Sequence, residues 1–227
     1  MPNAINHGDF YWRYMFERVL DIIFPPKCGF CGKINKEYLC KKCELKLDYL
    51  KKDKIRKMLN EAFSYLLYGY EYKEEIRKKI LDFKFSDKPE LANTFVKLLL
   101  NNKNICGFIE NYDIMIPVPM YKKKQIMRGY NQTELIAKRI AENLHLDYAE
   151  DVLTKIKNTE TQSNLDAKDR QNNVKNAYEC KNMKKIYEKK VILFDDIFTT
   201  GSTAAECSKQ LRIAGSKEIA VLTVAKD

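Results

Sequence analysis

Four cysteines near the start of the chain have the side chains and spacing of a metal site. They form two C-x2-C pairs separated by eight residues: Cys28, Cys31, Cys40 and Cys43. The two thiolates of each pair converge on one cation, and two pairs complete a tetrahedron. A redox pair is the alternative for either half alone, but two halves so close together favour zinc. Because all four ligands come from the protein, the predicted Zn2+ is structural.

A second group combines acids with a small-residue turn at residues 191–203, V-I-L-F-D-D-I-F-T-T-G-S-T. A buried strand at 191–194 would deliver Asp195 and Asp196 at its carboxyl end, where ligands bind in open α/β sheets. Two adjacent carboxylates are suited to accept hydrogen bonds from ribose hydroxyls. The turn that follows would offer hydroxyls and backbone N–H groups to a phosphomonoester at a helix N-terminus; its residues are Thr199, Thr200, Gly201, Ser202 and Thr203. A capped helix is the alternative, but it does not explain the paired acids.

The rest of the pattern alternates strands with helices, which predicts an α/β fold with a parallel sheet and crossover helices. Predicted strands lie at 63–72, 113–118, 151–155, 191–194 and 218–224, and predicted helices at 74–85, 89–100, 132–144 and 202–214. Residues 156–175 are polar and free of aromatics, which predicts a mobile loop. The predicted domains are an amphipathic helix at 1–24, a four-Cys zinc module with a basic extension at 25–57, and an α/β domain at 58–227.

Composition narrows the functional classes. The net charge of +10 favours polyanionic partners, although a lysine-rich codon bias would produce the same surface. The chain contains neither the G-x-G-x-x-G fingerprint of dinucleotide-binding domains nor the G-x4-G-K-[ST] sequence of the Walker A loop found in NTP-driven motors. No apolar run reaches the roughly 18 residues of a membrane span, which argues against membrane insertion. Charges interrupt the apolar N-terminus, which argues against a signal peptide, so we expect a cytoplasmic protein with reduced thiols.

Residues 191–203 resemble the phosphoribosyl pyrophosphate (PRPP) motif of type I phosphoribosyltransferases. The whole chain resembles the ComF family of competence-associated proteins, which join a four-Cys zinc module to a type I phosphoribosyltransferase-like domain. The resemblance covers about residues 15–225. The motifs that carry it, in chain order, are Phe24-Pro-Pro, Phe83-Lys84-Phe85, Ile116-Pro-Val-Pro119, Arg128-Gly-Tyr-Asn-Gln132, Thr161-Gln162, Arg170 and Asn173.

The resemblance implies a role for each part of the PRPP site. Asp195 and Asp196 would bind the ribose hydroxyls, and the turn at 199–203 would hold the 5′-phosphate. Residues 117–124 and Arg128 correspond to the pyrophosphate side, where Mg2+ and basic groups neutralise the leaving group. Gln162 and Arg170 would lie on a loop that closes over the site. Pro117 and Pro119 lack N–H donors where this loop usually offers them, which favours PRPP binding over turnover.

A basic segment follows the cysteines. Residues 41–57 hold eight Lys or Arg against three acids, with Tyr49 among them, a composition that suits single-stranded DNA. The family's link to uptake of transforming DNA strengthens this interpretation. Because the chain lacks a Walker A loop, a separate helicase-like motor is the expected energy source. The leading prediction is a PRPP-binding accessory of DNA uptake. A metabolic phosphoribosyltransferase and a PRPP sensor stay open as alternatives.

Overall fold

A computed structural model describes residues 25–59, 62–159 and 173–227. The predicted helix at 1–24 lies outside these residues, as do Gln162, Arg170 and most of the predicted mobile loop at 156–175. Within the described part of the chain, no helix is both long and apolar enough to cross a membrane.

The centre of the fold is a six-stranded sheet. Its strands are β1 (Lys51–Lys57), β2 (Tyr65–Glu71), β3 (Ile114–Pro117), β4 (Asp147–Tyr148), β7 (Lys190–Phe198) and β8 (Glu218–Lys226). They lie in the order β1-β2-β8-β7-β3-β4, and every neighbouring pair is parallel except β1 and β2. A separate antiparallel pair consists of β5 (Leu153–Lys155) and β6 (Tyr178–Cys180).

Helices cover both faces of this sheet. They are α1 (Lys41–Lys46), α2 (Glu74–Phe85), α3 (Leu91–Leu100), α4 (Lys103–Ile109), α5 (Lys122–Arg128), α6 (Gln132–Leu144) and α7 (Ser202–Ile213). On one face, helices α2, α3, α4 and α6 pack with residues 28–50, which we call the cysteine segment. On the other face, α7 and the β5–β6 pair pack together. The predicted α/β fold class, with helices flanking a mostly parallel sheet beside a small four-Cys module, is therefore confirmed.

Alternation along β7 assigns its side chains to these two layers. Ile192 and Phe194 lie in the cluster with α2 and α6, whereas Val191 and Leu193 lie in the cluster with α7. Successive side chains of a strand point to opposite faces, so the alternation produces two separate cores.

The predicted strand at 191–194 is too short. Strand β7 extends to Phe198, because Asp195 pairs with Thr223 and Ile197 pairs with Ala225 of β8. The two acids therefore lie within the strand and not after it. A polar pair is tolerated there because this end of the sheet is less covered, and both Ile197 and Phe198 are only half-buried.

Strand β1 has no counterpart among the predicted strands. Its sequence, KKDKIRK, is almost wholly charged. It forms an edge of the sheet, where charged side chains remain in water and discourage pairing with other chains. Part of the predicted basic extension of the zinc module is thus the edge strand of the main sheet. The division of the chain at residue 57 stays a prediction.

Candidate functional site

The four cysteines of the paired motif meet at one point. The sulfur atoms of Cys28, Cys31, Cys40 and Cys43 all lie within 4.8 Å of one another, and those of Cys31 and Cys40 are 3.8 Å apart. A tetrahedral zinc ion with Zn–S bonds of about 2.3 Å separates its ligands by about 3.8 Å. The residues present therefore fit a structural zinc ion.

Local turns position each pair. In the first, the Gly32 N–H donates to the Cys28 carbonyl at 2.8 Å, and Gly32 has a φ of +72°, a backbone conformation that favours glycine. In the second, the Cys43 N–H donates to the Cys40 carbonyl at 2.9 Å as α1 begins. Each pair is thus a short loop that turns its two thiols to the same side.

The thiols differ in their tendency to ionise. Burial acts to raise the pKa of Cys28, but backbone N–H donors, chiefly that of Cys40, outweigh it and lower the pKa to about 6. Burial raises the pKa of Cys43, and hydrogen bonds with the other three thiols raise it further. Four adjacent thiolates repel one another, so a divalent cation at their centre allows all four to ionise.

The cysteine segment packs directly on α3. A Cβ on Gly29 would lie 2.3 Å from Thr94 Oγ1 and 2.8 Å from Leu91 Cδ2, so no larger residue fits without movement. The Thr94 hydroxyl donates to the Tyr38 carbonyl at 3.0 Å, and Asn101 Nδ2 donates to Glu44 at 2.7 Å. The segment therefore shares its core with the α/β layer.

The two acids of the 191–203 motif have different surroundings. Asp196 is 8% exposed and points to the α2 side. The Lys84 ammonium donates to Asp196 Oδ1 at 2.9 Å and lies 2.8 Å from Oδ2 as an ion pair. Burial lowers the pKa of the Arg128 guanidinium, and the charge of Asp196, which also interacts with that group, acts to raise it. Asp196 is thus an ion-paired acid with a second cation in its electrostatic environment.

Asp195 lies on the opposite face, near Lys155, Tyr178 and Cys207. Burial and then the charge of Asp196 raise its pKa to about 7. Its Oδ1 accepts from the Asp196 backbone N–H at 2.9 Å. The two neighbouring acids at this strand end therefore lie in different surroundings, Asp196 beside Lys84 and Asp195 on the opposite face.

The predicted phosphate turn lies between this strand end and α7. Gly201 caps the helix with a φ of +77°, and a Cβ there would lie 2.6 Å from Cζ of Phe198. The hydroxyls of Thr200 and Ser202 are 2.8 Å apart. Thr199 and Thr203 complete the turn, and each is half-buried. The turn offers hydroxyls at the positive end of a twelve-residue helix.

The predicted pyrophosphate side follows β3. The Val118 carbonyl accepts from the Thr133 hydroxyl at 2.6 Å and from Asn131 Nδ2 at 3.3 Å. The Val118 N–H donates to the Phe194 carbonyl at 2.9 Å. Residues of the Arg128-Gly-Tyr-Asn-Gln132 motif therefore fasten the start of this loop next to β7.

Two further family motifs meet beside the loop. The Arg128 guanidinium lies 5.4 Å from the centre of the Phe85 ring, and the Tyr130 hydroxyl donates to the Phe83 carbonyl at 2.6 Å. These contacts join the end of α2, which carries Lys84, to the end of α5.

A cleft of about 520 Å³ opens between α5 and β5. Its charged lining residues are Lys122, Glu134, Glu150 and Lys155. Burial lowers the pKa of Lys155, and the charge of Lys124 lowers it further. Lys124 itself donates to the Thr159 carbonyl at 2.7 Å. The cleft thus places four charged side chains among apolar ones beside the predicted pyrophosphate loop.

Sequence reasoning missed the pairing of Lys84 with Asp196 and the presence of Lys155. Lys84 belongs to a family-like motif, which was the one signal for it, but nothing in that motif indicates its partner. Lys155 had no signal, because it is a single lysine in a lysine-rich chain. The roles predicted for Asp195, Asp196, Arg128 and residues 199–203 stay predictions.

These features define an α/β protein with a four-Cys, zinc-ribbon-like module, and comparison with known proteins agrees with this description. Residues 19–55 match the double zinc ribbon domain family. Competence protein F of Haemophilus influenzae is 31% identical over 205 residues, covering 88% of this chain and 85% of that protein. The chain therefore belongs to the competence protein F (ComF) family.

Two further relatives match at lower identity. DNA utilization protein YhgH of Escherichia coli K12 is 28% identical, covering 66% of this chain and 67% of that protein. Competence protein ComFC of Bacillus subtilis is 25% identical, covering 79% and 70% respectively.

Solved structures give only a weak likeness. Phosphoribosylpyrophosphate synthetase from Mycobacterium smegmatis matches 53% of this chain at a TM-score of 0.32, and UMP synthase of Leishmania donovani matches 66% at 0.30, both with 16% identity. The chain spans about a third of the length of each, 32% and 34%. Likeness at these TM-scores carries no argument about the site.

Proposed function

We propose that this protein is an accessory of DNA uptake that contains one structural zinc, binds PRPP and binds single-stranded DNA in the cytoplasm. The proposal that the protein binds PRPP is supported by one observation: Asp195 and Asp196 lie at a strand end, beside the turn at 199–203. The names of the relatives, competence protein and DNA utilization protein, support the role in DNA uptake.

In the proposed complex, the acids accept hydrogen bonds from the ribose hydroxyls. The hydroxyls of Thr199, Thr200, Ser202 and Thr203 and the N–H groups at the start of α7 hold the 5′-phosphate. Arg128 and the lysines of residues 122–124 balance the charge of the pyrophosphate together with Mg2+. Mg2+ would supply charge neutralisation there.

The start of the pyrophosphate loop supports binding over transfer. Pro117 and Pro119 have no N–H, and the N–H of Val118 is already bonded to the Phe194 carbonyl. Three consecutive residues therefore offer no free backbone donor to a leaving pyrophosphate. Transfer chemistry depends on such donors where charge develops. We expect PRPP to be held without rapid turnover.

Calorimetry with PRPP and Mg2+ tests the site. In the Asp195→Ala/Asp196→Ala variant, PRPP binding should weaken by roughly a hundredfold or more, since a hydrogen bond to a charged group contributes about 1.5–3 kcal/mol. Inorganic phosphate should bind the variant at least as well as the wild type, because the turn at 199–203 is unchanged and two negative charges are gone. Equal PRPP affinity in both proteins would show that the motif is only a capped helix.

The proposed DNA surface is the exposed part of the basic segment. Lys51 and Lys52 are paired with Asp53 and Glu71 at 3.0 and 3.1 Å, whereas Lys54, Arg56 and Lys57 are exposed. These three basic groups lie on the edge strand β1. None of the three is ion-paired with another described residue, so they are available to the phosphate backbone of a single strand.

Fluorescence anisotropy with a labelled oligonucleotide tests this surface. Reversal of Lys54, Arg56 and Lys57 to Glu should weaken binding and reduce its salt dependence by about one logarithmic slope unit for each phosphate that is no longer neutralised. The matched control reverses three exposed lysines elsewhere, Lys103, Lys138 and Lys209. Equal weakening in both variants would indicate attraction by net charge alone.

A deletion strain separates the proposal from a metabolic phosphoribosyltransferase. Loss of transformation with purine and pyrimidine salvage intact supports a role in DNA uptake. Loss of salvage would favour the metabolic enzyme. A helicase-like motor is the proposed partner, and its co-purification with the wild type is the corresponding test.

A further inference from the structure

Lys84 occupies an unusual place in the candidate site. Its ammonium lies 2.8 and 2.9 Å from the two carboxylate oxygens of Asp196, although 112 residues separate the two in sequence. The Lys84 side chain is 22% exposed and that of Asp196 is 11% exposed. Among the described residues, Asp195, Arg128 and Tyr72 also interact electrostatically with this acid. Lys84 is the described cation within 3 Å of both of its oxygens, and it donates a hydrogen bond to Oδ1.

We propose that Lys84 is a positioning residue for ligand binding: it fixes the orientation of the Asp196 carboxylate and offsets its charge, so that this acid can accept from a ribose hydroxyl. The inference rests on the proposed PRPP function and deepens it, because it assigns a role to a lysine outside the 191–203 motif.

The hydrogen-bonding capacity of a carboxylate permits this role. Each oxygen has two acceptor positions, so a lysine that donates to Oδ1 leaves positions on both oxygens free for a hydroxyl. PRPP is a polyanion, and two unbalanced acids at one strand end would repel it. Lys84 offsets one of those charges without covering the acceptor positions.

The backbone holds Lys84 firmly. Phe83, next to it on α2, is fully buried, and its carbonyl accepts from Tyr130. Phe85, on the other side, lies against the guanidinium of Arg128. A cation held on a packed helix needs little reorganisation when the ligand arrives, which is what precise positioning requires.

A double-mutant cycle measured by PRPP calorimetry tests the role. Lys84→Met should weaken PRPP binding tenfold or more, and Lys84→Arg should restore most of it. In an Asp196→Asn background, Lys84→Met should add less than a twofold change, because there is no longer a charged carboxylate to position. The matched control is Lys79→Met, which removes another half-buried, ion-paired lysine from the same helix; its ammonium lies 3.7 Å from Asp82. This control should bind PRPP like the wild type.

The outcomes separate the two ideas. If the wild type binds PRPP and Lys84→Met binds equally well, the positioning role is wrong while the proposed function stands. An equal loss from Lys84→Met in both backgrounds would mean direct contact with the ligand and would also overturn it. If the wild type fails to bind PRPP, the proposed function and this inference fail together. Should Lys84→Met not fold, Lys84→Gln, which keeps a donor but loses the charge, enters the same cycle; it should weaken PRPP binding more in the wild type than in the Asp196→Asn background, and equal effects in the two backgrounds would overturn the role.

Discussion

The cysteine cluster and the acid-pair site, which consists of Lys84, Arg128, Asp195 and Asp196, are assembled in opposite ways. All four cysteines come from one short stretch of chain, and local turns at Gly32 and Cys40 direct their sulfur atoms to one point. The other site gathers Lys84, Arg128 and Asp196 from α2, α5 and β7. A short stretch can encode a metal site by spacing alone. A site made from distant segments exists only after the sheet has formed.

The largest effect is expected from variants that remove ligands of the cysteine cluster. Replacing Cys28 and Cys40 by Ser should remove the one zinc per chain, measured by elemental analysis. It should also lower the unfolding temperature sharply, since structural zinc contributes on the order of 10 kcal/mol in small zinc modules.

Cys180→Ser is the control for the cysteine variant. This half-buried thiol lies on β6, outside the cluster, so zinc content should not change. Zinc retained at one per chain in the double variant would refute the four-cysteine assignment.

The second effect concerns Asp195 of the acid-pair site and depends on pH. The pKa of Asp195 is about 7 in the folded protein, above its ordinary value of 3.8, because of burial and the nearby Asp196 charge. The folded state therefore binds more protons than the unfolded state between about pH 4 and pH 7. Stability from this group is fully present below about pH 4 and is lost as the pH rises through 7.

Asp195→Asn removes the carboxylate, and with it the free-energy cost of ionising a buried acid above pH 7. The variant should be more stable than the wild type at pH 8, with an upper limit of about 4 kcal/mol at 1.4 kcal/mol per pKa unit. The difference should shrink towards pH 4. Denaturant unfolding at the two pH values measures it. A stability difference that does not vary with pH would mean that Asp195 titrates normally.

The same contrast explains what sequence reasoning could and could not reach. Helices Glu74–Phe85 and Gln132–Leu144 occur where their patterns predict them, because their apolar residues recur at helical spacing. Strand β1 was missed because its side chains are charged, and an edge strand needs little apolar surface. The contact between Lys84 and Asp196 could not be read from spacing, since their meeting depends on how α2 packs beside β7.

The third effect tests how closely the two regions are joined. In Gly29→Ala, the new Cβ would meet Thr94 and Leu91 of α3, and such overpacking costs about 1–3 kcal/mol. Unfolding should be easier by that amount. PRPP affinity should change less than twofold, because the atoms that the added Cβ would meet belong to Thr94 and Leu91 of α3 and not to the acid-pair site.

Gly107→Ala is the matched control for Gly29→Ala. Nothing lies within 4 Å of the position where its Cβ would be, and it is inside α4, so the substitution should be neutral or stabilising. Equal stability of Gly29→Ala and Gly107→Ala would mean that the cysteine segment does not pack tightly on α3.

The smallest effect isolates one bond of the same contact. Thr94→Val keeps the side-chain shape but removes the hydroxyl that donates to the Tyr38 carbonyl at 3.0 Å. The loss of unfolding free energy should be near the lower end of about 0.5–1.5 kcal/mol, because that carbonyl also accepts from the Gly29 N–H at 3.0 Å and keeps a partner.

Denaturant unfolding of Thr94→Val, Gly29→Ala and the combined variant then measures the coupling between these two neighbouring residues. Valine lacks the oxygen that the Cβ added in Gly29→Ala would approach most closely, but it has a methyl group of similar size in its place. The penalties should therefore be nearly additive. A combined variant as stable as Thr94→Val alone would show instead that the hydroxyl was the whole obstacle.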